Sequence, residues 1–314
     1  MIKQISILML TSLLLISLHL KAQDQDNISN LQLLYENWKF EFGMKFLVEE
    51  NQYRFEIFQT NLQKINQHNQ NESQTYKMGL NQFMHLTEEQ FQCLYLMKQE
   101  VYDIRQSPEI TQLRNSRLNA SIDYRNYTVV KDQGQCNSGW AFSVTGTMEV
   151  YQRIYQNKNV SLSEQHLIDC DQLSRGCTDG SNINGYKFAI SNGVATSTEY
   201  PYVGYNQTCK RLNGTYHPIR YSSAVGEYSM KQALNSHPVS AGLDAQNWQF
   251  YKSGIFSNCG ITLNHYAVVV GYEETGDWIV KNSWGQTWGE NGFIRIKSGN
   301  TCAIVTYSYQ DKYQ

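Results

Sequence analysis

The sequence predicts an α+β protein: a helical unit first, then a body in two parts, one helical and one stranded. Three observations carry this. Residues 28–100 show helical periodicity and contain no proline. Further on, Ala141, Val144, Met148, Tyr151 and Tyr155 form a helical stripe that begins just after Gly139. Beyond that, the segments His265 to Tyr272, Asp277 to Lys281 and Gly292 to Ile296 are short, rich in Val, Ile, Tyr and Phe, and bounded by Gly, Asn and Asp, which marks strands.

Residues 1–22 combine Lys3, an apolar stretch from Ile5 to Leu20 and the small residue Ala22. That is the pattern of a secretory signal, and Ser6, Thr11, Ser12, Ser17 and His19 make it short for a membrane span. Within 28–100, Phe55, Phe58, Leu62 and Ile65 make one apolar stripe, while Glu50 and Arg54 stand four apart as an exposed pair. Residues 101–117 are polar and without apolar periodicity, a connector. The body is placed at 118–314, with a second helix expected from Leu162 behind Ser161.

With 26 basic and 28 acidic residues the formal charge is -2, so nothing in the chain would attract nucleic acid. No second stretch is long enough to cross a bilayer, which implies no membrane attachment after signal removal. There is no phosphate-binding glycine loop and no His/Cys spacing suited to zinc, so no cofactor or metal is expected. Seven cysteines include six in the C-terminal two-thirds, Cys136, Cys170, Cys177, Cys209, Cys259 and Cys302, an even number suited to an oxidising compartment. Six cysteines allow fifteen pairings by sequence alone. Asn27, Asn71, Asn119, Asn126, Asn159, Asn206 and Asn213 each begin an Asn-X-Ser/Thr triplet, a weak glycosylation signal.

The run Gln133-Gly-Gln-Cys136-Asn-Ser-Gly139-Trp140 differs from Cys-Gly-[Ser/Ala]-Cys-[Trp/Tyr] only at Asn137 and Gly139. It resembles the papain family of cysteine peptidases. His265, in Leu-Asn-His-Tyr-Ala-Val, and Asn282, in Lys-Asn-Ser-Trp-Gly, resemble the family's imidazole and the amide that orients it. Upstream, Glu50, Arg54, Phe58, Asn61, Ile65 and Asn69 match the interspersed signature of the family's inhibitory propeptide. Gly79, Asn81 and Phe83 resemble its second motif, except that the closing Asp is here His85.

The resemblance, cathepsin L-like in having such a propeptide, implies a papain-like two-subdomain fold. A helical half and an antiparallel β-barrel half would follow a helical inhibitory prodomain. It implies the pairs Cys136–Cys177, Cys170–Cys209 and Cys259–Cys302. Gln133 would be a side-chain oxyanion donor, and Trp284 would shield the His265–Asn282 bond. Gly180 would bond an extended peptide, and Gly242 and Leu263, with Ser181 and Asn182, would line a side-chain pocket made roomy by the glycine. Partners would be extended peptides, protein substrates or inhibitors, and the chain's own propeptide, bound by a monomer in a lysosome, a vacuole or outside the cell.

A thiol peptidase needs a thiolate, an imidazole to share its proton, a group to orient that ring, and donors for the oxyanion. Gly139 removes the first. The expected function is therefore a non-catalytic relative that binds peptides or inhibitors. The alternatives are an active cysteine endopeptidase whose position 139 is in truth Cys, one base away, and a structural or storage glycoprotein.

Overall fold

The computed structural model describes residues 29–98 and 117–313. The leader at 1–22 and, apart from Arg117, the connector at 101–117 lie outside the described residues. By its contacts the chain divides into two units, Met1–Lys64 and Ile65–Gln314.

In the first unit a helix through residues 29–41, α1, is followed by the start of α2, Val48–Gln70. Gly43, at φ +63°, reverses the chain between them. Tyr35, Trp38, Phe55 and Phe58 are buried together, with Phe58 5.3 Å from the Tyr35 ring and 5.2 Å from that of Trp38. Glu50 and Arg54 form their pair at 2.7 Å, but it is partly buried rather than exposed, because the guanidinium also lies over the Phe46 and Tyr53 rings.

The second unit begins inside α2 and continues with β1, Tyr76–Met78, and α3, Glu88–Tyr95. The strand corrects the purely helical reading of 28–100. It forms because Asn69 at the end of α2 donates to the Met78 carbonyl at 2.8 Å and accepts from its N–H at 3.0 Å. That bond pair holds the returning chain against β5, Tyr251–Phe256, with which β1 runs antiparallel. Thr87 and Gln90 close a capping box at the start of α3.

The body opens with β2, Ile122–Asp123, and three helices: α4, Gly139–Tyr155; α5, Glu164–Cys170; and α6, Asn182–Asn192. Of the predicted α4 stripe, Ala141, Val144 and Met148 are buried, while Tyr155 is half exposed. The second helix starts later than expected, capped by Ser163 rather than Ser161. Leu162 is extended because it bridges Thr196 and donates its N–H to Glu149 Oε1 at 2.7 Å.

The stranded half contains β3, Arg220–Ser223; β4, Val239–Leu243; β6, His265–Tyr272; β7, Trp278–Lys281; β8, Phe293–Ile296; and β9, Tyr307–Lys312. A short helix α7, Glu227–Leu234, interrupts them. The sheet order is β1-β5-β8-β7-β6-β4-β9-β3, with β2 also on β6. Neighbours are antiparallel except β5 and β8, whose two-residue parallel pairing departs from the expectation, since the long β6–β7 excursion separates them. The central strands β4, β6 and β7 are buried along their full length, and α4 packs against β6 and β4. The two halves therefore meet where α4 faces β6.

Disulfides join Cys136 to Cys177, Cys170 to Cys209 and Cys259 to Cys302. Each closes a loop of about forty residues, worth about 4 kcal/mol by chain entropy. Cys93 is free and exposed. No described helix is long and apolar enough to cross a membrane.

Candidate active site

Gly139 is the first residue of α4, at the positive end of the helix. The Cys136–Cys177 bridge and the Asn137 N–H, which donates to the Cys177 carbonyl at 3.0 Å, fix the loop leading into it. On the facing strand, His265 opens β6. A Cβ built on Gly139 would stand 2.8 Å from His265 Cε1, 3.0 Å from its Nδ1 and 2.8 Å from the Tyr266 carbonyl oxygen. The imidazole and the peptide behind it thus lie where a side chain at 139 would begin.

The protonation of the ring follows from its other neighbour. Asn282 Oδ1 accepts the Ser283 N–H at 2.8 Å, which identifies that atom as the oxygen. His265 Nε2 lies 2.8 Å from the same oxygen, so Nε2 carries the proton and Nδ1, aimed at position 139, is a bare acceptor. His265 is only 2% exposed, beside the rings of Trp284 at 4.9 Å and Trp248 at 6.2 Å. Burial lowers its pKa from 6.5 to about 4, outweighing the opposing bond to Asn282. The ring is neutral at physiological pH.

Gln133 is buried behind the α4 N-terminus. Its Oε1 accepts the Ser283 hydroxyl at 2.6 Å, and its Nε2 donates to the Cys136 carbonyl at 2.9 Å, leaving the second amide proton for another acceptor. The β6–β7 end, with Asn282 and Ser283, is thereby tied to the loop before α4.

The remaining sequence-derived positions divide. Gly180 lies on the Trp140 indole, where a Cβ would be 2.4 Å from Cε2, so packing alone requires glycine. Ser181 caps α6 through the Asn184 N–H, and Asn182 turns inward to the Ser240 hydroxyl at 3.1 Å. The space directly over Gly242 is filled, not roomy. A Cβ there would meet Leu263 Cδ1 at 2.6 Å, Tyr266 Cε1 at 2.9 Å and Tyr307 Cβ at 3.0 Å, because these side chains fill the space.

Two features escaped the sequence. Behind the site, Lys131 donates to Glu149 at 2.6 Å and Glu164 at 2.7 Å, and buried Lys281 lies near both carboxylates. Burial disfavours both ammonium groups. The two carboxylates outweigh it and raise the pKa of Lys131, whereas that of Lys281 stays lowered. Single polar letters scattered over α4, α5 and β7 give no sign of converging. The other is an aromatic clasp. Phe83, Phe91 and Tyr95 surround the Trp284 indole, the two phenyl rings edge-on at 89° and 85°, and Gln82 Nε2 donates to the Trp284 carbonyl at 2.6 Å.

Residues 76–97 are in this way seated on the stranded half. The Met97 N–H donates to the carbonyl of Asn264, next to His265, at 2.8 Å. A cleft of about 560 Å³ remains, between Gln92, Cys93 and Met97 on one side and Asn137, Cys177 and Asn264 on the other.

Comparison with known proteins agrees with this architecture. Residues 118–311 match the model of the Papain family cysteine protease, and residues 35–91 match that of the Cathepsin propeptide inhibitor domain (I29). "Putative cathepsin L 3" of Paramecium tetraurelia is 42% identical over 93% of each chain. Cathepsin L 2 of the same organism is 34% identical over 90% of this chain and 92% of its own. Among solved structures, the recombinant stem bromelain precursor superposes with a TM-score of 0.84 at 32% identity, over 91% of this chain and 99% of that one. Digestive procathepsin L 3 of Tenebrio molitor does so at 0.81 and 31%, over 90% and 99%. The chain belongs to the papain family of cysteine peptidases, as a cathepsin L-like member that carries its inhibitory propeptide.

Proposed function

We propose that this chain is a proteolytically inert member of its family, one that binds extended peptides or peptidase inhibitors. The observation that carries the reading is Gly139 at the start of α4, facing the bare Nδ1 of His265 where a thiolate would have to lie. In this reading His265 is the retained proton-transfer group, Asn282 positions it and Trp284 shields their bond. Gln133 and the backbone N–H at 139 are the retained oxyanion donors. By analogy with triads that lose their nucleophile, turnover falls on the order of a million-fold. Gly180, Gly242 and Leu263 belong to the peptide-binding wall, two of them as glycines that neighbouring rings require.

Without a nucleophile the chain does not cut its own connector, so the propeptide stays seated until another peptidase removes it. The leader-like residues 1–22 and the three disulfides support passage through the secretory pathway. The intact His265–Asn282 bond is the observation on the side of the rival reading, an active thiol endopeptidase with Cys at 139. Peptide mapping by mass spectrometry after treatment with a thiol-directed electrophilic peptide separates the two, since it tells an adduct at residue 139 from one on the free Cys93. Inert protein shows no adduct in the segment containing residue 139, whereas an adduct there establishes the rival.

A further inference from the structure

A second concavity lies beyond the C-terminal ends of α4 and β9, away from His265. It measures about 320 Å³, and Tyr151, Gln156, Lys158, Thr215, Tyr216 and Tyr313 are among its lining residues. The Tyr151 and Tyr313 rings stack at 3.6 Å, and the Lys158 ammonium lies 5.9 Å from the centre of the Tyr216 ring. Thr215 also closes the triplet Asn213-Gly214-Thr215. Gly214 is buried in the middle of it. Its N–H donates to the Asn192 carbonyl at 2.9 Å, and a Cβ there would stand 2.2 Å from the Val194 carbonyl carbon. Asn213 and Thr215, on either side, are exposed, and Tyr216 bridges Val194. The segment thus alternates between facing in and facing out, which sends the Asn213 side chain out on the face where Thr215 meets the cleft.

We propose that Asn213 carries an N-linked glycan whose first sugars lie in this cleft, against the Tyr216 ring. The lining suits a sugar. Tyrosine rings offer flat apolar faces to the C–H side of a pyranose, while the Gln156 amide and the Lys158 ammonium offer hydrogen-bond donors to its hydroxyls. The modification joins Asn213 Nδ2 to the anomeric carbon of an oligosaccharide carried on a polyprenyl diphosphate. The bond from that carbon to the diphosphate oxygen breaks, Nδ2 loses one proton, and the lipid diphosphate leaves. The inference rests on the reading that the chain passes through the secretory pathway, and does not depend on whether residue 139 supports turnover.

The full chain, secreted from a eukaryotic host, tests both parts. Enzymatic removal of N-glycans in heavy-oxygen water turns each modified asparagine into a labelled aspartate, which peptide mapping by mass spectrometry locates. Asn213 is expected to be labelled. If it is bare while another Asn-X-Ser/Thr triplet is labelled, the site is overturned and the secretory reading stands. No label anywhere overturns both. Thermal midpoints then test the seating, with Asn213→Gln abolishing the acceptor. That change lowers the midpoint by roughly 1–3 °C in the unaltered chain and by under about 1 °C in the Tyr216→Ala background, where the ring is gone. Equal losses in both backgrounds, or none in the unaltered chain, overturn the seating on Tyr216. Tyr216→Leu replaces Tyr216→Ala if the latter does not fold, and the mapping result stands without either.

Discussion

The imidazole of His265 rests against the backbone of Gly139 so closely that a Cβ at 139 would come within 2.8 Å of its Cε1. The missing side chain has left no slot, because the ring and the Tyr266 carbonyl occupy its place. Gly139→Ala therefore forces either the ring or the start of β6 to move. The expected result is a net loss of about 1–2 kcal/mol in urea unfolding, overpacking exceeding the small helical gain of alanine. A stabilised variant would show that the contact yields freely.

The buried ring also makes stability depend on acid. His265 has a folded pKa of about 4, below its unfolded value of 6.5, so the folded state binds fewer protons between those values. Its contribution is fully present above pH 6.5 and is lost as pH falls through about 4, by about 3 kcal/mol. Unfolding free energies across that range, measured for the unaltered chain and His265→Gln, should differ by an acid limb that the variant lacks. Parallel curves would assign the limb to other groups.

Lys131, Lys281, Glu149 and Glu164 form a balanced set of two cations and two anions at the junction of α4, α5 and β7. Glu164→Leu leaves the two ammonium groups with one carboxylate in a buried place. The expected cost is about 3–5 kcal/mol, seen as a lowered denaturation midpoint. A loss under about 1 kcal/mol would mean that water reaches the cluster.

Trp284 is held on one side by His265 and on the other by the Phe83, Phe91 and Tyr95 clasp. Phe91→Ala removes a fully buried ring, at a cost of about 3–5 kcal/mol to the seating of residues 76–97. Limited proteolysis should then cut that segment many-fold faster while leaving the 118–313 body whole. Unchanged cleavage would place its anchorage elsewhere.

Much of this was legible in the sequence because local signals agreed with the global fold. The α4 stripe and the β6 run from His265 to Tyr272 rest on periodic patterns that close packing makes obligatory, whereas the pairing of His265 with Asn282 and the place of Gln133 beside Ser283 were expected only from the family resemblance of their motifs. What the sequence concealed depends on partners distant along the chain. β1 has only three residues and exists because Asn69 and β5 hold it. The space over Gly242 is empty when one residue is considered alone and full once Tyr266 and Tyr307 are set opposite it by the sheet register. Likewise Gly139 announces a lost thiol, but not that the imidazole lies against its backbone.

The most direct measurement compares peptide hydrolysis by the unaltered chain and by Gly139→Cys, each after removal of residues up to the connector by an added peptidase that is then inactivated. The account predicts no turnover above background for the unaltered protein. It predicts measurable, thiol-reagent-sensitive hydrolysis for the variant once the His265 ring has moved aside to admit the Cβ and sulfur. Turnover by the unaltered chain that disappears in His265→Gln would contradict it, because the site would then be working without the thiol.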